Sequence, residues 1–278
     1  GYAVALGDGT ALVGAFQDDD ACSDNVACNS GAAYLFQSLE DGTWVQTAKV
    51  MPDDAAAGDW FGSALALEGN TALVGAQGAD EACALNTCSY AGAAYVFEQQ
   101  ETGTWRQVAR LAASHGGSNH WFGAAVALRD DGALVGSYGD RDGGLGAGAA
   151  YLFERQDDGT WTETARLTAA DGVAGDFFGD AVALDENIAL IGASGYGEDG
   201  LGSGSAYLFV RQDDGAWTQL ARLMPGSGSA GDRFGSALAL EDGIAFVGAP
   251  LSDDACPEDW YCNAGAVYVH EVSPGVGE

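Results

Sequence analysis

Short apolar runs alternate along the chain with segments rich in glycine, aspartate and asparagine. In WFGSALALEGNTALVGA (60–76), two runs of small and branched apolar residues flank the dipeptide Gly-Asn. A Gly/Asn turn between two alternating runs is a strong signal for a β-hairpin. No segment shows the 3.6-residue period of an amphipathic helix. The pattern therefore predicts an all-β chain of short strands.

The hairpin pattern is one part of an internal repeat. It returns at 121–137, 177–193 and 233–249, and the chain opens inside the same unit at 1–15. An aromatic block follows each time: GAAYLF (31–36), GAAYVF (92–97), GAAYLF (148–153), GSAYLF (204–209) and GAVYVH (265–270). A third block occurs four times: GTWVQTAKV (42–50), GTWRQVARL (103–111), GTWTETARL (159–167) and GAWTQLARL (215–223). Each unit therefore predicts four antiparallel strands, which we label a, b, c and d.

Four-stranded units repeated in this way are typical of a β-propeller. We predict a single five-bladed propeller domain over 1–278, whose last blade lacks its outer strand because the third block has no fifth copy. The predicted blades are approximately 1–60, 61–121, 122–177, 178–233 and 234–278. We expect the unpaired c-strand edge of the last blade to be covered by a strand from an upstream segment or from a neighbouring molecule, and the second choice would make the protein self-associate.

The recurring WFG…LVGA, FFG…LIGA and RFG…VGAP segments resemble FG-GAP repeats, the units of the integrin α-subunit propeller and of many bacterial surface proteins. The resemblance implies a propeller, a secreted or cell-surface location, and adhesion or partner binding, often with calcium. Calcium-binding FG-GAP units carry a DxDxDGxxD loop between strands a and b. Here those connections, such as LEGNT and LEDGIA, are too short for a cage of six to eight oxygen ligands.

Calcium remains a hypothesis for the b–c loops, which are rich in glycine and acidic residues. Asp140 and Asp142 in one loop, and Glu198 and Asp199 in the next, are candidate ligands that backbone carbonyls would have to complete. No other cofactor is predicted. The aspartates of the GDxFG segments, Asp59, Asp176 and Asp232, recur in several repeats, and we expect them to accept backbone hydrogen bonds in a turn.

Six cysteines fall in three equivalent b–c loops, each five residues longer than the loops without cysteine. This placement predicts local disulfides, Cys22–Cys28, Cys83–Cys88 and Cys256–Cys262, and therefore an oxidising compartment. Metal binding by the cysteine pairs is the alternative, although no loop offers a second pair or a histidine at ligand spacing. In a propeller the b–c and d–a connections share one face, and Tyr90, Trp260 and Tyr261 are candidate binding residues there.

The chain carries 41 acidic and 10 basic residues, a formal charge of −31, which disfavours nucleic acids and anionic membranes as partners. No apolar run is long enough to span a bilayer. No phosphate loop, dinucleotide fingerprint or zinc motif is present. We therefore expect a secreted or surface-exposed, non-catalytic module that binds an extracellular protein or glycan. The alternatives are a structural subunit of an extracellular assembly that uses strand complementation, and a carbohydrate-active enzyme.

Overall fold

The computed structural model describes residues 1–21, 28–83, 86–195, 202–226, 230–253, 255 and 263–272. Within these ranges every regular element is a β-strand, so no helix there could cross a membrane. The strands form five antiparallel sheets of four, four, four, four and three strands, together with a small two-stranded hairpin. These are the sheets that the sequence predicts for five propeller blades with a shorter last blade.

Each large sheet contains the a, b, c and d strands of one repeat in spatial order. The first sheet contains β1 (Val4–Gly7), β2 (Thr10–Ala15), β3 (Ala32–Ser38) and β4 (Trp44–Val50). The second contains β5 (Phe61–Glu68), β6 (Thr71–Ala76), β9 (Ala93–Gln99) and β10 (Trp105–Leu111), and its b–c loop carries the hairpin β7 (Glu81–Cys83) and β8 (Asn86–Cys88). The third contains β11 (Ala125–Arg129), β12 (Gly132–Ser137), β13 (Ala149–Arg155) and β14 (Trp161–Leu167). The fourth contains β15 (Phe178–Asp185), β16 (Ile188–Ala193), β17 (Ser205–Arg211) and β18 (Trp217–Leu223), and the fifth β19 (Ala237–Glu241), β20 (Ile244–Ala249) and β21 (Ala266–Glu271).

The chain divides into two compact units, residues 1–135 with 153–163 and residues 136–152 with 164–278. In the first unit, Leu12 and Leu35 of the first sheet pack against Phe61, Val74 and Tyr95 of the second sheet. In the second unit, the corresponding core joins the fourth and fifth sheets. Its central residues are Leu190, Leu208, Phe234, Ala245 and Val247. Each core therefore forms where one sheet lies face to face with the next.

The small residues of strands a and b permit a very close backbone approach. A Cβ atom on Gly14 would lie 2.0 Å from the carbonyl oxygen of Gly62, well inside van der Waals contact. Gly62, the glycine of the Phe-Gly pair, has φ +88°, which a residue with a side chain adopts only under strain. The adjacent Phe61 is fully buried. The Phe-Gly pair therefore combines a core anchor with a backbone position where only glycine fits.

The last sheet differs from the others on its outer face. Phe246, Val267 and Val269 expose 41%, 68% and 59% of their surface. The corresponding residues in the four other sheets are almost completely buried: Leu12, Leu73, Leu134 and Leu190 for Phe246; Ala33, Ala94, Ala150 and Ala206 for Val267; Leu35, Val96, Leu152 and Leu208 for Val269. In the described part of the chain β21 pairs only with β20, so its other edge has no strand partner there.

Candidate binding site

Four equivalent junctions, which we call seams, connect each b–c loop to the Phe-Gly pair of the following repeat. The glycine before strand c forms a parallel bridge with the phenylalanine in every seam: Gly31 with Phe61, Gly92 with Phe122, Gly148 with Phe178, and Gly204 with Phe234. The first two seams lie in the first unit and the other two in the second. The expectation that b–c loops and d–a connections share a face is confirmed within each seam, because their backbones are hydrogen-bonded to each other.

In each seam, two residues in the left-handed region of backbone conformation are hydrogen-bonded to each other. One precedes the Phe-Gly pair, and its N–H donates to the carbonyl of the other, which lies two residues before the glycine of strand c. The pairs of residues in seams one to four are Trp60 and Asn29, Trp121 and Tyr90, Phe177 and Gly146, and Arg233 and Gly202. Their φ angles lie between +49° and +71°. The backbone is thus the same in all four seams, and only the side chains differ.

In the first unit these positions create an aromatic platform, which we define as Trp60, Tyr90 and Trp121. The ring centroids of Tyr90 and Trp121 are 4.8 Å apart with 19° between their planes. Trp60 lies 5.8 Å from Trp121 at 9° and 5.9 Å from Tyr90 at 28°. Tyr90 is 38% exposed, and the two tryptophans are partly buried. The three nearly parallel rings therefore form an offset stack that reaches solvent, most of all at Tyr90.

Three carboxyl groups lie close to the backbone of the platform. Oδ1 of Asp80 accepts the backbone N–H of Tyr90 at 3.0 Å. Burial, reinforced by repulsion from Asp54 and Asp80, raises the pKa of the Asp59 carboxyl to about 6. Asp54 also pairs with Arg110 at 3.0 Å. The platform therefore lies beside a region of negative potential that offers hydrogen-bond acceptors.

Two of the three recurring aspartates of the GDxFG segments, Asp59 and Asp176, have the structural role that the sequence predicts. Oδ2 of Asp59 accepts the N–H of Ala56 at 2.7 Å, and Oδ2 of Asp176 accepts the N–H of Val173 at 2.8 Å. Both carboxyl groups are buried, as is that of Asp232. For Asp59 and Asp176 the prediction of a turn acceptor is confirmed.

A second repeated arrangement places a cation over the strand-c tyrosine of sheets one to four. Nζ of Lys49 lies 5.2 Å from the ring centroid of Tyr34. In the next three sheets the corresponding distances are 5.7, 5.9 and 5.7 Å for Arg110 over Tyr95, Arg166 over Tyr151, and Arg222 over Tyr207. These pairs position strand d against strand c. They also use four of the ten basic residues of the chain.

The candidate calcium ligand Asp140 belongs to this arrangement in the third sheet. It is fully buried, and it accepts hydrogen bonds from the hydroxyl of Tyr151 at 2.7 Å and from the N–H of Asp142 at 3.0 Å. Nη2 of Arg166 lies 2.8 Å from Asp140 and 3.1 Å from Asp142. The guanidinium thus lies beside both carboxylates, where a bound cation would have to compete with it. The described residues contain no cluster of three metal-ligating side chains, and calcium binding stays a prediction.

Several predicted site residues lie outside the described residues: Cys22, Cys256, Cys262, Trp260, Tyr261, Glu198 and Asp199. Cys28 and Cys88 are each disulfide-bonded, and no described cysteine is free. In the β7–β8 hairpin Cys83 is paired with Asn86, and Glu81 with Cys88. The pairing of the six cysteines and the oxidising compartment that it implies remain predictions.

The sequence indicated Tyr90 but not its two tryptophan neighbours. Trp60 and Trp121 could have been identified from the residue before each Phe-Gly pair, which is Trp, Trp, Phe and Arg in successive repeats. A buried structural position would be expected to keep one residue type in an internal repeat. The variation at this position was the available signal for a surface role.

Comparison with known protein families gives a match over most of the chain. The pattern of the FG-GAP repeat family matches residues 1–36, 44–97, 105–153, 161–209 and 217–270. From the second match onward, each begins at strand d of one sheet and ends in strand c of the next, so the family unit includes one complete seam. No curated protein sequence matches the chain at a significant level. With five matches that leave only short connections uncovered, the chain belongs to the FG-GAP repeat family.

Proposed function

We propose that this protein is a secreted or cell-surface interaction module without catalytic activity, which binds an extracellular protein or glycan through the aromatic platform. FG-GAP repeats form propeller-type interaction modules, and the platform is the observation that carries the proposal. Aromatic side chains on rigid loops supply a large contact area at low conformational-entropy cost. Tyr90 and the two tryptophans have this character.

Strain in the backbone supports a functional reason for the ring of Tyr90. Bulky residues rarely occupy the left-handed region, and holding one there costs of order 1–3 kcal/mol. Tyr90 has φ +54° at a position where Gly146 and Gly202 serve in the second unit. A tyrosine at this position therefore gives the seam no conformational advantage, and its exposed ring is available for binding.

The proposal is tested by replacing each platform ring with asparagine, which tolerates left-handed conformations. Trp60→Asn, Tyr90→Asn and Trp121→Asn should each weaken binding to a ligand found on glycan and extracellular-matrix protein arrays. Phe177→Asn is the control, because it removes an aromatic ring in the second unit at the seam position that Trp60 and Trp121 occupy in the first. If all four variants bound the ligand as tightly as the natural protein does, the platform would be excluded as the binding site. Turnover of chromogenic glycosides would contradict the proposed absence of catalysis.

The structural-subunit alternative is favoured by a separate observation, the exposed apolar face and open edge of the last sheet. Phe246 and Val269 occupy positions that are buried in the other sheets, and β21 lacks a second partner within the described residues. If the protein assembles through this sheet, analytical ultracentrifugation should show mass rising with concentration. Val269→Glu should abolish that rise, whereas a monomer at all concentrations would exclude the alternative.

A further inference from the structure

The aromatic platform limits how a ligand can be held. Parallel rings that enclosed a guest would be roughly 7 Å apart, twice the roughly 3.5 Å contact distance of carbon atoms. The three centroid separations in the platform are 4.8, 5.8 and 5.9 Å. No ring or cationic headgroup therefore fits between them, and a ligand has to lie on the outer surface of the stack.

The platform is also held rigidly. The N–H of Trp121 donates to the carbonyl of Tyr90 at 3.1 Å, and the N–H of Tyr90 donates to Asp80 at 3.0 Å. At Trp60, a Cβ atom on residue 78 would lie 3.1 Å from the indole ring, so the glycine at this position leaves room for the indole to pack there. A surface with this many fixed contacts loses little freedom when a ligand binds.

The site combines the exposed part of an aromatic stack with the carboxylate of Asp80 next to it. The face of an aromatic ring carries partial negative charge, which attracts the weakly positive C–H groups on the flat side of a sugar ring. The carboxylate of Asp80, which accepts the N–H of Tyr90, is suited to accept hydrogen bonds from hydroxyl groups as well. Asp54, paired with Arg110, and the buried Asp59 add negative charge nearby. A pyranose ring offers C–H groups on its face and hydroxyl donors around its rim.

Charge narrows the class of sugar further. The same carboxylates would repel sulfate, uronate or sialate groups, and the net charge of −31 adds repulsion at longer range. This negative potential does not weaken the binding of a neutral sugar, because the hydroxyl groups of the sugar donate to carboxylates without carrying charge themselves.

We propose that the platform Trp60–Tyr90–Trp121 is a binding site for neutral saccharides, in which a pyranose ring stacks on the exposed aromatic surface and its hydroxyl groups donate to Asp80. This inference rests on the proposed function of the same platform and specifies its ligand class. It requires no metal ion and no change in the loop backbone.

The test uses the intact protein and its own tryptophan fluorescence, because two of the three rings are indoles. Cello-, xylo-, malto- and chito-oligosaccharides are titrated, with heparin-derived and oligogalacturonate fragments as anionic probes. At least one neutral series should change the fluorescence saturably, and its affinity should be nearly unchanged between low and high salt. Tyr90→Asn and Trp121→Asn should weaken it about tenfold or more, a loss typical of central aromatic contacts, while Phe177→Asn leaves it unchanged.

Three results would overturn the inference, and they separate it from the proposed function. Preference for the anionic probes, or binding of basic proteins that weakens with salt and depends on Tyr90, would refute the saccharide class but keep the platform as a binding site. Saccharide binding unaffected by the platform variants would place the sugar elsewhere. No platform-dependent binding by any saccharide or array protein would refute both proposals.

Discussion

The seams of the first unit and those of the second unit have the same backbone and different surfaces. In the first unit the left-handed positions of the second seam carry Tyr90 and Trp121, whereas in the second unit the third seam carries Gly146 and Phe177. The hydrogen bond between the two positions is 3.1 Å in the former and 2.9 Å in the latter. The comparison shows that the repeat fixes the path of the chain and leaves the side chains at these positions free to differ.

The difference also separates folding from function. Glycine takes a left-handed conformation without strain, while a tyrosine does not. At the position that Gly146 occupies, a Cβ atom would lie 2.8 Å from the Phe177 ring, so in the third seam the aromatic side chain lies over a bare backbone. In the second seam Trp121 instead stacks on the ring of Tyr90. In the second seam the two aromatic rings thus stack on each other, whereas in the third seam the ring of Phe177 covers the backbone of Gly146.

The largest expected effect comes from the part that both units share. In Gly92→Ala the new Cβ would lie 2.0 Å from the carbonyl oxygen of Phe122, and in Gly148→Ala it would lie 2.0 Å from that of Phe178. Backbone atoms cannot move away without breaking the bridge, so both variants should lose roughly 4 kcal/mol or more of unfolding free energy. Gly103→Ala is the control, with φ +82° and nothing within 4 Å, and should lose about 1 kcal/mol.

Urea unfolding followed by circular dichroism measures all three variants. A much smaller loss for Gly148→Ala than for Gly92→Ala would show that the seams of the two units are not energetically equivalent.

A smaller effect is expected at the tyrosine–cation pairs, which draw their carboxylates from two different loops. In the third sheet Arg166 pairs with the fully buried Asp140, whereas in the fourth sheet Arg222 pairs with Asp171, whose side chain is 39% exposed. Asp140→Ala removes one partner of a buried network and should cost about 3 kcal/mol. Asp171→Ala breaks an exposed pair and should cost less than about 1 kcal/mol. Equal losses in the same urea experiment would mean that burial of Asp140 adds nothing.

The carboxylates that pair with these cations come from both b–c loops and d–a connections. This explains why the sequence predicted the strands better than the ion pairs between them. Each strand follows from alternation and turn residues within one repeat, so a local pattern suffices. The cations Lys49, Arg110, Arg166 and Arg222 recur at one position of strand d, but their carboxylate partners are divided between two positions of the repeat. Asp18 and Asp140 come from b–c loops, and Asp54 and Asp171 from d–a connections.

The aromatic platform was beyond local patterns for a similar reason. Its three rings come from three positions about thirty residues apart and meet only because two seams hold them in left-handed conformations. Tyr90 could be identified as an aromatic residue beside a cysteine-bearing loop. The stacking of Trp60 and Trp121 depends on the three-dimensional spacing of neighbouring seams, which the sequence does not encode locally.

The buried carboxyl beside the platform predicts a pH-dependent stability difference. Asp59 has a pKa of about 6 in the folded protein, above its ordinary value of 3.8, so between these values the folded state holds more protons than the unfolded state. The stability of the natural protein should therefore fall as the pH rises through this range. Asp59→Asn keeps a side-chain oxygen for the Ala56 N–H and cannot ionise.

Between pH 4 and pH 6.5, the unfolding free energy of Asp59→Asn should rise by about 1–2 kcal/mol relative to that of the natural protein, since one pKa unit corresponds to about 1.4 kcal/mol. Urea unfolding at several pH values measures the gap. Asp41→Asn should show no trend in this range and the opposite trend only below about pH 4, because hydrogen bonds from Thr43 lower the pKa of Asp41 below its ordinary value. A gap for Asp59→Asn that stays constant with pH would contradict the raised pKa.

The smallest effect on stability is expected where the effect on binding should be largest. Tyr90→Asn removes a stacked pair with Trp121, which is worth about 0.5–1.5 kcal/mol, and relieves left-handed strain of similar size. Asn29 and Asn263 already adopt this conformation at the equivalent positions, with φ +49° and +42°. The unfolding free energy should therefore change by less than about 1 kcal/mol.

Phe177→Asn, which loses the edge contact with Tyr138 at 6.0 Å, should show a similarly small change in thermal melting. Only Tyr90→Asn should lose saccharide binding, because only that ring belongs to the platform. If Tyr90→Asn lowered stability by well over 2 kcal/mol while binding persisted, the three rings would be structural packing between two seams, and the contrast between the units would concern folding alone.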